Sequence, residues 1–176
     1  MGCGRRAAAL AVAALLGSVG VVCAPDVDAT GSTDCNFAFD VAASPGLSSS
    51  PSSGTMVSQP GNRTMTCTGT FQGRPVSGPG SIDMRARYGI RRGDTCASGG
   101  TGDGVSTLTV PTSGGAARVT NTFTYWFGPM VNGEMPGRFE GDRMSGTFTL
   151  RPYGQAMCSA ARMTRLRLTG KGTLNG

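Results

Sequence analysis

The chain has 176 residues, 29 of them glycine, with 15% charged residues, a net charge of +6 and no histidine. The lack of imidazole removes Ser-His-Asp and Cys-His nucleophile systems and most zinc and copper sites, and the low charge argues against a disordered chain. Glycine well above the usual ~7%, with abundant threonine and a single lysine, Lys171, is the composition of an all-β chain with many turns.

Met1 to Ala29 reads as a secretory signal peptide. Arg5 and Arg6 form its positive end, Ala7 to Ala24 its apolar stretch, and Val27-Asp28-Ala29 the small-residue cleavage site. The apolar run is diluted with Ala and Gly and precedes a processing site, so cleavage is expected rather than a membrane span. Residues 30–176 then form one all-β domain, secreted or associated with the cell wall, with no span after processing. Cleavage removes Arg5, Arg6, Asp26 and Asp28, so the +6 charge persists.

Period-two alternation marks the strands. Cys35, Phe37, Phe39 and Val41 share one face of the first. Residues 44–61, rich in Ser, Pro and Gly, read as a long loop. Met65, Cys67, Gly69 and Phe71 alternate with threonines, and Ile82, Met84, Ala86, Tyr88 and Ile90 alternate with Asp83, Arg85 and Arg87. Ser106, Leu108 and Val110 form a fourth strand, and Val119, Asn121, Phe123, Tyr125 and Phe127 a fifth. A short sixth runs around Arg138 to Glu140, and a seventh carries Met144, Gly146, Phe148 and Leu150. The last runs from Arg162 to Leu174, with Met163 out of phase with Leu166 and Leu168, which predicts a bulge near Thr164. About eight antiparallel strands with short connections form a meander. An up-and-down barrel is favoured over a two-sheet sandwich, because closure removes exposed edges.

Cys35, Cys67, Cys96 and Cys158 remain after processing and lack Cys-x-x-Cys spacing, so two disulfides are expected. Strand parity selects the pairing. The loops holding Cys96 and Cys158 follow the third and seventh strands and lie at one end. Cys35 and Cys67 lie at the other. Seven strand residues span about 23 Å, beyond the roughly 7 Å reach of a disulfide. Cys35 should therefore pair with Cys67, and Cys96 with Cys158.

The alternation turns Trp126 outward and Asn121 inward, an arrangement suited to anchoring a partner or sugar outside and to a polar cavity within. Trp126, Asn121, Tyr88 and Tyr125 are the candidate ligand-binding residues. Arg85, Arg87, Arg165 and Arg167 form a candidate basic outer face. Glu140 and Asp142, with Glu134 nearby, are the densest carboxylates, but they flank a Gly-Asp turn. Arg92-Gly93-Asp94 matches an integrin-recognition tripeptide, and Asp94 and Asp103 bracket a glycine-rich loop without an EF-hand pattern. No metal or cofactor site is expected.

Cys67-Thr68-Gly69-Thr70, Asp94-Thr95-Cys96, Val110-Pro111-Thr112-Ser113-Gly114 and Gly146-Thr147-Phe148-Thr149 resemble segments of a diffuse group of small secreted actinobacterial β-rich proteins of unknown function. The resemblance implies export and an all-β fold, and no activity. The expectation is an exported, non-enzymatic barrel that binds a small apolar molecule or an anionic cell-envelope component, with nucleic acid not expected because the arginines are scattered. Two alternatives stand beside it: a secreted hydrolase using Glu140 or Asp142, and a basic wall-associated structural protein.

Overall fold

A computed structural model describes residues 31–154 and 157–176, so the signal-peptide reading of 1–29 lies outside the described residues. Ten strands follow in order: β1 (Ser32–Leu47), β2 (Gly54–Ser58), β3 (Thr64–Phe71), β4 (Arg74–Pro75), β5 (Pro79–Tyr88), β6 (Gly100–Thr112), β7 (Gly115–Phe127), β8 (Met135–Gly141), β9 (Met144–Pro152) and β10 (Met163–Asn175). Consecutive strands from β5 to β10 pair antiparallel. β10 then pairs with β1 from Asn175↔Ser32 to Arg165↔Ala42, which closes an eight-stranded barrel.

The eighth position is shared. β3 lies beside the first half of β1 and β2 beside its second half, and both also pair with β5. Residues 44–61, read from the sequence as a loop, thus hold the end of β1 and all of β2. The signal was hidden because one of the two buried β2 side chains is Ser58, whose Oγ accepts the Met84 N–H at 2.9 Å. Ile90, assigned inward from its period, is exposed, since β5 ends at Tyr88. The irregularity near Thr164 is present. Thr164 and Arg165 both face out, and the β1–β10 register slips between Ala42 and Leu47 opposite them.

Inside, nearly every large ring lies directly across the sheet from a glycine. Phe127 sits between Gly100 and Gly137, Phe123 between Gly104 and Gly141, and Phe148 between Gly137 and Gly170. Gly102 faces Tyr125 and Gly170 faces Phe37. A barrel of eight strands has an interior only as wide as its side chains can fill, so two rings cannot occupy adjacent inward positions everywhere. Glycine leaves the space each neighbouring ring occupies. The rings then meet edge to face across the lumen, Phe37 on Phe139 at 6.0 Å and Tyr125 on Phe148 at 6.1 Å.

The two ends are closed differently. At one, Cys35 and Cys67 are direct cross-strand partners with Cα atoms 4.0 Å apart. At the other, Cys96–Cys158 ties the β5–β6 connection to the β9–β10 connection. Backbone bonds Cys96 N–H to Ser48 O at 2.9 Å and Met130 N–H to Cys96 O at 2.8 Å bring in the remaining loops of that end. Both disulfides have the connectivity that strand parity requires. Apolar side chains fill the inside while threonine, arginine and aspartate cover much of the outside, the reverse of a lipid-facing barrel. No helix among the described residues is long and apolar enough to cross a membrane.

A methyl group at Gly170 would lie 2.5 Å from the Phe37 ring. Gly170→Ala is expected to lower stability by about 1–3 kcal/mol through overpacking. Phe37→Leu in the same chain should recover part of that loss, so the two changes should be non-additive in urea denaturation.

Candidate functional site

Trp126 lies near the end of β7, in the outward phase that its inward neighbours Tyr125 and Phe127 impose. It is 45% exposed, with Gly128 of the β7–β8 connection against the edge of the indole. Its ladder partners are Thr101 on β6 and Arg138 on β8, and the Arg138 guanidinium stands 6.0 Å from the indole centroid. The next outward row holds Arg87, Asp103, Thr124 and Glu140. Thr101, Asp103, Thr124, Trp126, Arg138 and Glu140, together with Ile90 and Arg91 at the start of the β5–β6 connection, border an open groove of about 600 Å³.

The groove combines one flat aromatic face, two guanidinium groups, two carboxylates and two threonine hydroxyls. Arg87 holds Asp103 through Nη2 at 2.8 Å and Nε at 3.2 Å. That pair fixes one wall, whereas Arg138 has no ion-pair partner among the described residues. An aromatic plate ringed by groups that donate and accept hydrogen bonds suits a ligand with an apolar face and a hydroxylated edge.

The barrel interior offers far less. Its residual cavity is about 50 Å³, lined by side chains that include Phe39, Met84, Phe123 and Tyr125. Ligand pockets are usually about 300–1,000 Å³. Asn121, 1% exposed, borders this cavity, but its Oδ1 accepts the Arg143 N–H at 2.9 Å and the Met144 N–H at 2.8 Å. It fastens the β8–β9 hairpin to the barrel wall.

Tyr88 is fully buried and its hydroxyl accepts the Gly46 N–H at 3.0 Å. The Tyr125 hydroxyl donates to Arg87 O at 3.0 Å, and burial pushes its phenol far above the usual range. The structure therefore does not gather the four candidate binding residues. Trp126 is outside, and the other three are inside and engaged.

The four arginines are also divided. Arg85 and Arg165 fall in one outer row, separated by Val57 and Ala42. Arg165 stacks over Tyr153 at 5.3 Å. Arg87 pairs with Asp103 and Arg167 with Asp40, so two of the four charges are already matched. The acids are scattered likewise. Glu134 pairs with Arg151, Glu140 lies in the groove, and Asp142 accepts the Thr122 N–H at 2.8 Å in an exposed turn.

Asp94 is 5% exposed, which removes the Arg92-Gly93-Asp94 segment as a displayed ligand. Its Oδ2 accepts the Gly89 N–H at 2.8 Å and its Oδ1 the Thr101 N–H at 3.3 Å, bridging the end of β5 to the start of β6. Gly100 packs against it, and a side chain there would strike the carboxyl. Sequence reasoning found Trp126 and singled out Glu140, though as a carboxylate apart from it, and missed Arg138 and Arg91. Only cross-strand register brings them together, and nothing in the local pattern of β8 announces it.

Two stability measurements test these assignments. Asn121→Ala should cost about 2–3 kcal/mol in urea denaturation, because it strands two backbone N–H donors. Asp94 has its carboxyl pushed above the ordinary 3.8 by burial. The folded state thus binds the extra proton, and stability attributable to Asp94 falls as pH rises from 3.8 through the raised value. Asp40 acts oppositely. Bonds from Arg167 and Tyr153 hold it below 3.8, so its contribution is present above 3.8 and lost as pH falls through the depressed value. Asp94→Asn should remove only the first slope from a pH series of melting temperatures. Comparison with protein families, with curated proteins and with solved structures gives no match to this chain.

Proposed function

We propose that this protein is an exported, non-enzymatic β-barrel binding module that engages a glycan of the cell envelope through the outer groove at Trp126. The observation that carries the reading is the half-exposed indole, set in a groove of about 600 Å³ beside Arg138. A pyranose ring has an apolar face that stacks on an aromatic plane and equatorial hydroxyls that reach polar neighbours. Glu140, Asp103, Arg138 and Thr124 border the groove at the edges of such a ring.

The leader-like N-terminus and the two disulfides support export, because disulfides persist in oxidising compartments. The small interior cavity favours an outside site over carriage of an apolar molecule within. The engagement of Arg87 and Arg167 by acids favours a shaped groove over a diffuse basic face.

Trp126 is the chain's only tryptophan, so its fluorescence reports the groove alone. Isolated bacterial wall polysaccharide and soluble oligosaccharides released from it should shift that emission in a saturable way. Trp126→Ala should weaken retention on the insoluble polysaccharide by about tenfold or more, roughly 1.4 kcal/mol, while Trp126→Phe keeps part of it. Unchanged retention by Trp126→Ala would overturn the proposal.

A further inference from the structure

The Trp126 groove is not isolated on the outer wall. Arg138 pairs across the sheet with Thr147 on β9, Thr147 with Lys171 on β10, and Lys171 with Asn36 on β1. Thr147, Lys171 and Asn36 border a second outer depression of about 500 Å³. One row of exposed side chains therefore runs across the strands from Trp126 through Arg138 and Thr147 to Lys171 and Asn36. Neighbouring strands lie about 4.8 Å apart, so Trp126 and Lys171, three intervals apart, are separated by roughly 14 Å along the wall.

The charges along that row have a pattern. Arg138 and Lys171 are its two cations, and neither has an ion-pair partner among the described residues. Of the acids beside them, Asp103 is paired with Arg87, Asp34 accepts the Thr173 hydroxyl at 2.9 Å, and Glu140 shares β8 with Arg138. We infer that the two depressions form one site for an extended acidic glycan, which stacks a sugar on Trp126 and places carboxylate or phosphodiester groups at Arg138 and Lys171. The inference rests on the reading of the Trp126 groove as a glycan site and extends it to the length and charge of the ligand.

A single strand of nucleic acid fits this surface less well. Non-specific single-strand sites present successive aromatic plates, whereas here Trp126 is followed by Thr147 and Asn36. Glu140 and Asp34, which border the two depressions, can accept hydrogen bonds from sugar hydroxyls.

The test uses the folded protein and oligogalacturonides of increasing length, with uncharged dextran fragments of matching length as the comparison. Affinity for the acidic series should rise with length until the chain spans both depressions and then level off. It should also weaken as salt is raised. Lys171→Ala should remove the gain from length, about fivefold, equivalent to roughly 1 kcal/mol for one exposed ionic contact. Arg118→Ala, an exposed charge lost elsewhere on the wall, should leave the length dependence intact.

If Trp126→Ala abolishes binding but Lys171→Ala changes nothing, the extended site fails while the glycan groove survives. If Trp126→Ala also binds normally, both fail. Absence of binding to any acidic chain, or a neutral series that gains equally with length, overturns the acidic-chain inference. Equal binding of single-stranded polythymidylate with the same Lys171 dependence would overturn the commitment to a glycan.

Discussion

The pairing of inward rings with inward glycines is the constraint on which the remaining structure depends. An eight-stranded barrel encloses a narrow column that must be filled to interior density. Phe37, Phe123, Phe127 and Phe148 supply the volume, and Gly100, Gly104, Gly137, Gly141 and Gly170 supply the room. Glycine weakens an isolated strand through backbone entropy and a missing side chain. Here each ring covers the bare backbone opposite it, and the two cross-links limit the freedom of the unfolded chain.

A filled lumen moves recognition to the outer wall. The rings that close the interior to about 50 Å³ also fix the phase of β7, and that phase sends Trp126 outward. Register then decides its company. A shift of one residue between β7 and β8 would turn Arg138 from the outer face to the lumen. The groove is thus a by-product of the same ladder that packs the core. Apart from Ile90 and Arg91, its side chains stand on strands, which lowers the ordering cost of binding.

Buried polar groups in this fold serve the backbone. Asn121 holds a hairpin, Tyr88 receives the Gly46 amide, and Asp94 replaces ladder bonds where β5 and β6 diverge. Each sits where strand pairing ends and N–H donors would otherwise be stranded. Perturbed titration often marks functional sites, although structural groups perturb it too. Asp94 and Tyr125 belong to the structural class, since burial shifts both and both are fully engaged with main chain.

Strand positions, the closed meander and the disulfide connectivity were legible in the sequence, because each follows from local period or from parity. Phe37 and Phe39 must face together, and an odd or even number of strands places each cysteine at one end. β2 escaped detection because Ser58 fills one of its inward positions and its stability comes from β1 and β5, not from its own residues. The exposure of Trp126 was likewise readable from period two, but its neighbours were not. Arg138 lies beside it, with Thr147 and Lys171 in the same row, only because register aligns residues far apart in the chain. The sequence by itself determined which face each side chain takes, since that depends on alternation along one strand. Tertiary structure alone decided which side chains share a groove, because that depends on hydrogen-bond register between strands, and register is set by the fit of rings against glycines across the whole barrel.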